Sequence, residues 1–248
     1  MHQLFPLSQT PESVDLPGLY AYPASDWLRA NMVASADGAA TLGGVTADLS
    51  SQADRDVFAL LRALADVVLV GAGTARAEYY GPARTREAWR ALRAGRTPTP
   101  PIAVITARLD LDPGSRLISA APPHARTIVI TTARAPADRR AELARHADVL
   151  VAGDETVDLK AAVSTLADRG HRRMLAEGGP HLLAQLLETG LLDELCLTIG
   201  PLMAGPGAPR IVTGPPGTGP AATPLPLTLA HVLEDDGFLF CRYTTNGH

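Results

Sequence analysis

Short apolar runs rich in β-branched residues recur along the chain: ADVVLVG (65–71), PIAVIT (101–106), RTIVIT (126–131) and ADVLVAG (147–153). Runs of this length with little polar alternation predict strands covered on both faces, as in a parallel sheet. Between or before them lie longer segments with apolar positions three and four apart. These predict helices over 51–65, where Phe58, Leu61 and Leu64 share one stripe, and over 136–146, 158–169 and 180–189. Strands and helices in alternation predict βα units and a mostly parallel sheet with helices on both faces. No internal repeat interrupts the alternation.

Two stretches break the rhythm, one Arg-rich (82–101) and one Gly/Pro-rich (205–226), and both read as surface loops. After the second comes PLTLAHVLEDDGFLFCRY, two apolar runs around a turn sequence. That predicts an antiparallel hairpin at the edge of the same sheet, and therefore one domain over 1–248 with residues 1–25 as an N-terminal extension. An edge carrying Phe238, Leu239 and Phe240 needs cover, which a second copy of the chain would supply; a homodimer is the expectation.

Composition narrows the class. Charged residues are 19% of the 248 and the net charge is −4, so the basic field that attracts nucleic acid is missing. No apolar stretch approaches the roughly 20 residues of a membrane span. Residues 1–17 lack a basic start and a continuous apolar stretch, and carry Glu12 and Asp15, so no signal peptide is read and the cytoplasm is expected. Cys196 and Cys241 sit singly in strand-like runs without a CxxC partner, which predicts buried thiols and no metal. The HxE and PCxxC ligand sets of a zinc-dependent deaminase are nowhere in the sequence.

Three segments could carry chemistry. In NMVASADGAA (31–40) an apolar strand runs into an Asp-Gly turn, a pattern that is equally an ordinary strand end. In VGAGTARAE (70–78) a buried strand ends in Gly71, Gly73 and Thr74 ahead of a helix, where small residues let a ligand reach backbone. GxGT lacks the third glycine and the later acid of a dinucleotide fingerprint. In MLAEGGPHLLAQLLETGLLDEL (174–195) a strand ends at Glu177, and Gly178, Gly179 and Pro180 open a helix. Such a turn can seat a pyrophosphate, and a carboxylate at a strand's carboxyl end lies where open α/β sheets bind ligands.

Together, the strand with SADG, the block LLRALADVVLVGAGT, and EGGPHLLAQLLETGLLDEL followed by P-x-x-x-G-x-G resemble the reductase domain of riboflavin biosynthesis, over about residues 28–243. The resemblance implies a dihydrofolate-reductase-like fold: three α/β/α layers, a mixed, mostly parallel sheet and a C-terminal antiparallel hairpin. It implies hydride transfer from NADPH to the ribosyl group of 5-amino-6-(5-phosphoribosylamino)uracil, a small phosphoribosyl substrate. It also implies a homodimer. Carried over by position, Ala34, Gly71, Gly73, Thr74, Glu78 and the turn Gly178, Gly179, Pro180, His181, Leu182 would line the cofactor, with Thr106 and Arg108 reading its 2′-phosphate. Glu177 and Ser50 would hold substrate, Arg62 its phosphate, and Asn31, Asp37 and Glu177 would be catalytic. Two departures stand out: Asn31 where bacterial bifunctional members carry lysine, and RAEYYGP (76–82) where the family has a D-D-P pattern, so that Tyr79 and Tyr80 reshape that wall. Reduction of another heterocycle such as dihydrofolate, and a silent NADPH-binding regulator, are the competing readings.

Overall fold

The computed structural model describes residues 1–6, 14–214 and 224–245. In chain order its elements are β1 (His2–Phe5), α1 (Leu16–Leu19), β2 (Trp27–Ser35), α2 (Gln52–Leu64), β3 (Val67–Gly71), α3 (Ala72–Ala77), β4 (Ile102–Ile105), α4 (Arg116–Ser119) and β5 (Ile128–Thr131). There follow α5 (Ala137–Ala144), β6 (Asp148–Val151), α6 (Leu159–Asp168), β7 (Arg173–Ala176), α7 (Pro180–Glu188), β8 (Glu194–Gly200), β9 (Leu227–Asp235) and β10 (Phe238–Thr245). All ten strands join one sheet in the order β1-β9-β10-β8-β2-β7-β3-β4-β5-β6. From β8 to β6 neighbours run parallel; β10, β9 and β1 are antiparallel additions.

The pleat divides the core. Val68, Val70 and Val104 pack with Leu60 and Leu61 of α2 and Leu143 of α5, while Val67, Leu69 and Met174 pack with Leu166 of α6 and Leu183 and Leu186 of α7. Apolar side chains on both faces are the reason these runs lack alternation, and the three-layer architecture that the resemblance implies is the one observed. At the far end, Asp236 (φ 50°) and Gly237 (φ 80°) form the two-residue turn of the predicted hairpin, whose positive φ values suit the strand twist. Both cysteines are buried and free.

Three expectations need correction. The hairpin is not an open edge: β10 lies between β8 and β9, Phe240 is buried, and β1 pairs with the outer side of β9. The edge argument for a second copy therefore falls away. For the same reason residues 1–25 are more than an extension, since they supply β1 and the buried Tyr20. Nor is the Arg-rich stretch merely a surface loop. Arg93 is buried, and its guanidinium donates to the carbonyls of Ala63 (3.1 Å) and Ala65 (2.6 Å), with Arg96 on that of Leu64 (2.8 Å). Two cations thus satisfy the free carbonyl end of α2. Of the Gly/Pro-rich stretch, residues 215–223 lie outside the described residues.

A cluster of charge sits inside the half of the sheet formed by β2, β8 and β10. Glu194 (β8) accepts from Arg29 (β2; Nε at 2.5 Å, Nη2 at 3.2 Å), from Arg242 (β10; Nε and Nη2 at 2.9 Å) and from Trp27 Nε1 at 2.9 Å. Arg29 stacks on the Tyr22 ring at 4.1 Å. His231 is buried beside this cluster, edge-on to Tyr20 at 4.8 Å, with Nε2 lacking a hydrogen-bond partner among the described residues.

Candidate active site

Parallel strands bring their carboxyl ends to one rim, and there β2, β3 and β7 open onto a cavity of about 1050 Å³. Its walls come from Asn31 and Met32 on β2, from α2 through Phe58 and Arg62, from Gly71, Gly73, Thr74 and Ala77 to Pro82 around α3, and from Glu177 and Gly179 to Leu182 after β7. The rim of β7 is held by ladder bonds that outlast the strand: Glu177 N–H donates to Leu69 O and Gly71 N–H to Gly178 O, both at 2.9 Å.

Glu177 is nearly buried, and its carboxylate meets a bidentate guanidinium. Arg62 Nε donates to Oε1 and Nη2 to Oε2, each at 2.7 Å, and the Tyr80 hydroxyl donates to Oε2 at 2.8 Å. Arg62 in turn lies over the rings of Phe58 (4.3 Å) and Tyr80 (5.5 Å), which fixes the fork. Burial, with the neighbouring Glu177 charge second, pushes the Tyr80 phenol well above the usual tyrosine range, so it stays a donor.

The glycine turn has no room for side chains. A Cβ on Gly179 would stand 2.3 Å from Thr74 Oγ1, and one on Gly178, at φ +81°, 3.1 Å from Met32 Sδ. Gly179 also begins α7 without a side-chain cap, and Pro180 follows as its first residue. Backbone amides bare of caps beside two glycines fit the pyrophosphate of a dinucleotide, by the helix-terminus geometry that favours anions.

The family model of the RibD C-terminal domain matches residues 26–237. The chain belongs to that family, the pyrimidine reductases of riboflavin biosynthesis. This chain is 31% identical over 178 residues to the 2,5-diamino-6-ribosylamino-4(3H)-pyrimidinone 5′-phosphate reductase of Archaeoglobus fulgidus, covering 67% of this chain and 79% of that protein. The reductase of the same description from Aquifex aeolicus is 31% identical over 187 residues, covering 73% and 79%. Among solved structures, a pyrimidine reductase-like protein of Corynebacterium diphtheriae superposes with a TM-score of 0.83 at 30% identity, over 94% of this chain and 99% of that one.

Within this RibD C-terminal domain the cavity gathers most of the residues singled out from sequence: Asn31, Ser50, Arg62, Gly71, Gly73, Thr74, Glu78 and Glu177, with Gly179, Pro180, His181 and Leu182. Others stand elsewhere. Asp37 takes hydrogen bonds from the Ser35 hydroxyl (2.5 Å) and the amides of Ala204 (3.0 Å) and Gly205 (2.9 Å), which hold its carboxyl down to about 2. It ties the SADG turn to the P-x-x-x-G-x-G loop and does not line the cavity, so a catalytic part for Asp37 loses its geometric basis. Ala34 is buried in β2 and Gly178 faces the ladder; neither lines the cavity. Thr106 accepts from the Leu109 amide at 3.1 Å and Arg108 lies after β4, both outside the cavity lining.

Two assignments change character. Arg62 is spent on Glu177 rather than held for a phosphate. Glu78 reaches across to the Thr46 amide (2.9 Å), so it secures the wall it was expected to line. Sequence reasoning missed Arg84 and Arg116, which line the cavity, are exposed, and whose guanidinium groups make no ion pair or hydrogen bond with the described residues. The run GPARTRE at 81–87 carried the signal for Arg84, but an arginine in a polar stretch reads as solvated. No helix among the described residues is long and apolar enough to cross a membrane.

Proposed function

We propose that the protein is an NADPH-dependent reductase that opens the ribosyl ring of a 6-ribosylaminopyrimidine 5′-phosphate to the ribityl chain. The observation that carries this reading is the buried Glu177 carboxylate beside the uncapped Gly178-Gly179 turn, at the carboxyl ends of β3 and β7. NADPH, when bound, supplies the hydride. Gly71, Gly73, Thr74 and the turn 178–182 would cradle its pyrophosphate and nicotinamide half, and Thr106 and Arg108, on the same rim of the sheet, would meet its adenosine phosphate. The chain's own residues bind and orient. Glu177, paired with Arg62, accepts from a hydroxyl group of the ribosyl unit, and Asn31 offers an amide to the same region. Arg84 and Arg116 replace Arg62 as the cations for the 5′-phosphate. Among the described residues, no side chain lining the cavity is arranged as a nucleophile with a base, which suits a reaction whose protein contribution is orientation and electrostatics.

Of the two ring forms, the uracil is the one the motif resemblance implies. The relatives at 31% identity are reductases of the 2,5-diamino-6-ribosylamino-4(3H)-pyrimidinone 5′-phosphate, and that favours the diamino ring as a second reading. The test is NADPH oxidation followed at its near-ultraviolet band, with both phosphoribosyl compounds and dihydrofolate in parallel. Turnover of one ribosylaminopyrimidine supports the proposal and selects the ring; turnover of dihydrofolate alone overturns it. Tight NADPH binding without oxidation of any substrate would make the protein a silent binder.

A further inference from the structure

Carboxylate oxygens offer about four acceptor directions in all, two on each atom. Glu177 has three of them filled by described residues: Oε2 accepts from Arg62 Nη2 and from the Tyr80 hydroxyl, and Oε1 from Arg62 Nε alone. We propose that Tyr80 is a positioning residue of the substrate site, which closes Oε2 and so leaves a single acceptor direction, on Oε1, for one ribosyl hydroxyl of the substrate. The inference rests on the functional reading above and names the contact by which that substrate is read.

Three features separate this arrangement from an ordinary buried ion pair. Arg62 already satisfies both oxygens in the bidentate geometry, so charge balance does not call for the phenol. Tyr80 reaches Glu177 across 97 residues of chain, while its own amide is anchored to Ala75 O at 2.9 Å and the preceding Glu78 to the Thr46 amide. The loop around it is therefore set before any ligand arrives. All three side chains also line the cavity, which a purely structural triad buried in the core would not. Without the phenol, Oε2 would become a second acceptor, and a sugar hydroxyl could settle on either oxygen. With it, one hydrogen-bonded pose is selected.

The departure of RAEYYGP from D-D-P thus has a chemical content: the phenol supplies a donor to the substrate-holding carboxylate. A sugar hydroxyl seated on Oε2 holds the substrate in a non-productive pose, which lowers kcat and KM by the same factor and leaves kcat/KM alone.

The experiment is a cycle of one substitution and one substrate change. Tyr80→Phe keeps the ring against Arg62 and removes the hydroxyl. With the full ribosyl substrate, kcat and KM should fall together by about twofold or more while kcat/KM is unchanged, as for two acceptors competing for one hydroxyl. NADPH affinity, read by fluorescence, should not change. On an analogue lacking the one ribose hydroxyl that meets Oε1, wild type and Tyr80→Phe should share the same kcat and KM, because neither then has two poses to choose between. A rise in KM, a fall in kcat/KM, a difference that persists on the analogue, or weakened NADPH binding would overturn the proposal.

If wild type oxidises no NADPH with either ribosylaminopyrimidine, it is the functional reading that fails, and the contact is then decided without substrate. Alkaline absorption differences against Tyr80→Phe report ionisation of this phenol. It should ionise at lower pH in Glu177→Gln than in wild type, because a neighbouring negative charge is gone; an unchanged titration overturns the contact as well.

Discussion

Glu194→Gln keeps the side-chain volume and removes one negative charge from between the buried Arg29 and the half-buried Arg242. Burial by itself would raise the Glu194 carboxyl; the Arg29 charge, with Arg242, outweighs burial and holds it down to about 2, against an ordinary 4.5. By proton linkage that difference corresponds to about 3 kcal/mol of stability at pH 7. Removing one partner from a buried ion pair costs roughly 3–5 kcal/mol in other proteins, so two separate routes meet near the same figure. For a chain of this size, 1 kcal/mol moves Tm by about 2–4 °C, so the variant should melt on the order of 10 °C lower. The carboxyl is lowered in the folded state, so its contribution is complete well above 4.5 and is lost as the pH falls from 4.5 towards 2. At pH 3 about 1 kcal/mol should remain. Urea unfolding curves of both proteins at pH 7 and pH 3 measure the two differences. A loss under about 1 kcal/mol at pH 7, or the same loss at both pH values, would refute the reasoning.

Burial, followed by the Arg242 charge, pushes His231 from 6.5 down to about 4, so the unfolded chain takes up that proton first and stability falls as the pH drops through this window. His231→Phe should flatten the fall, read as a smaller change in Tm between pH 7 and pH 5 than wild type shows. Gly179→Ala drives a methyl to within 2.3 Å of Thr74 Oγ1, so NADPH affinity should drop by about tenfold or more through displacement of the turn. Adding Thr74→Ala should recover part of it in the same fluorescence titration, and an unchanged affinity in Gly179→Ala would remove the turn from the cofactor site.

Much of this arrangement could be read along the chain because it is local. The strand over 67–71 and the helix over 52–64 follow from runs of apolar residues, and EDDG carries its own turn conformation. The Gly178-Gly179 turn and Glu177 were visible because a strand, two glycines and Pro180 stand side by side. What escaped was set by distant partners. β1 pairs with β9 more than 220 residues away, and no pattern in His2–Phe5 encodes that. Arg62 and Glu177 are separated by 115 residues, so each looked free to serve a ligand until the fold brought them together. Arg93, in a stretch dense with charge, reads as solvent-facing, and only the exposed carbonyl end of α2 explains its burial.

Arg29 and Asn31 stand two residues apart on β2 and so share a face, the first against Glu194 and the second lining the cavity. A strand that slid by one residue along β8 would carry Arg29 to the opposite face, among Leu28, Met174 and Leu183, where no carboxylate is described. That misalignment strands a buried cation and is penalised by several kcal/mol, whereas the apolar residues on either side of it would tolerate the slip far better. The buried arginine therefore acts as a ratchet tooth for β2: it admits one alignment of the strand, and in doing so sets the depth at which Asn31 meets a substrate.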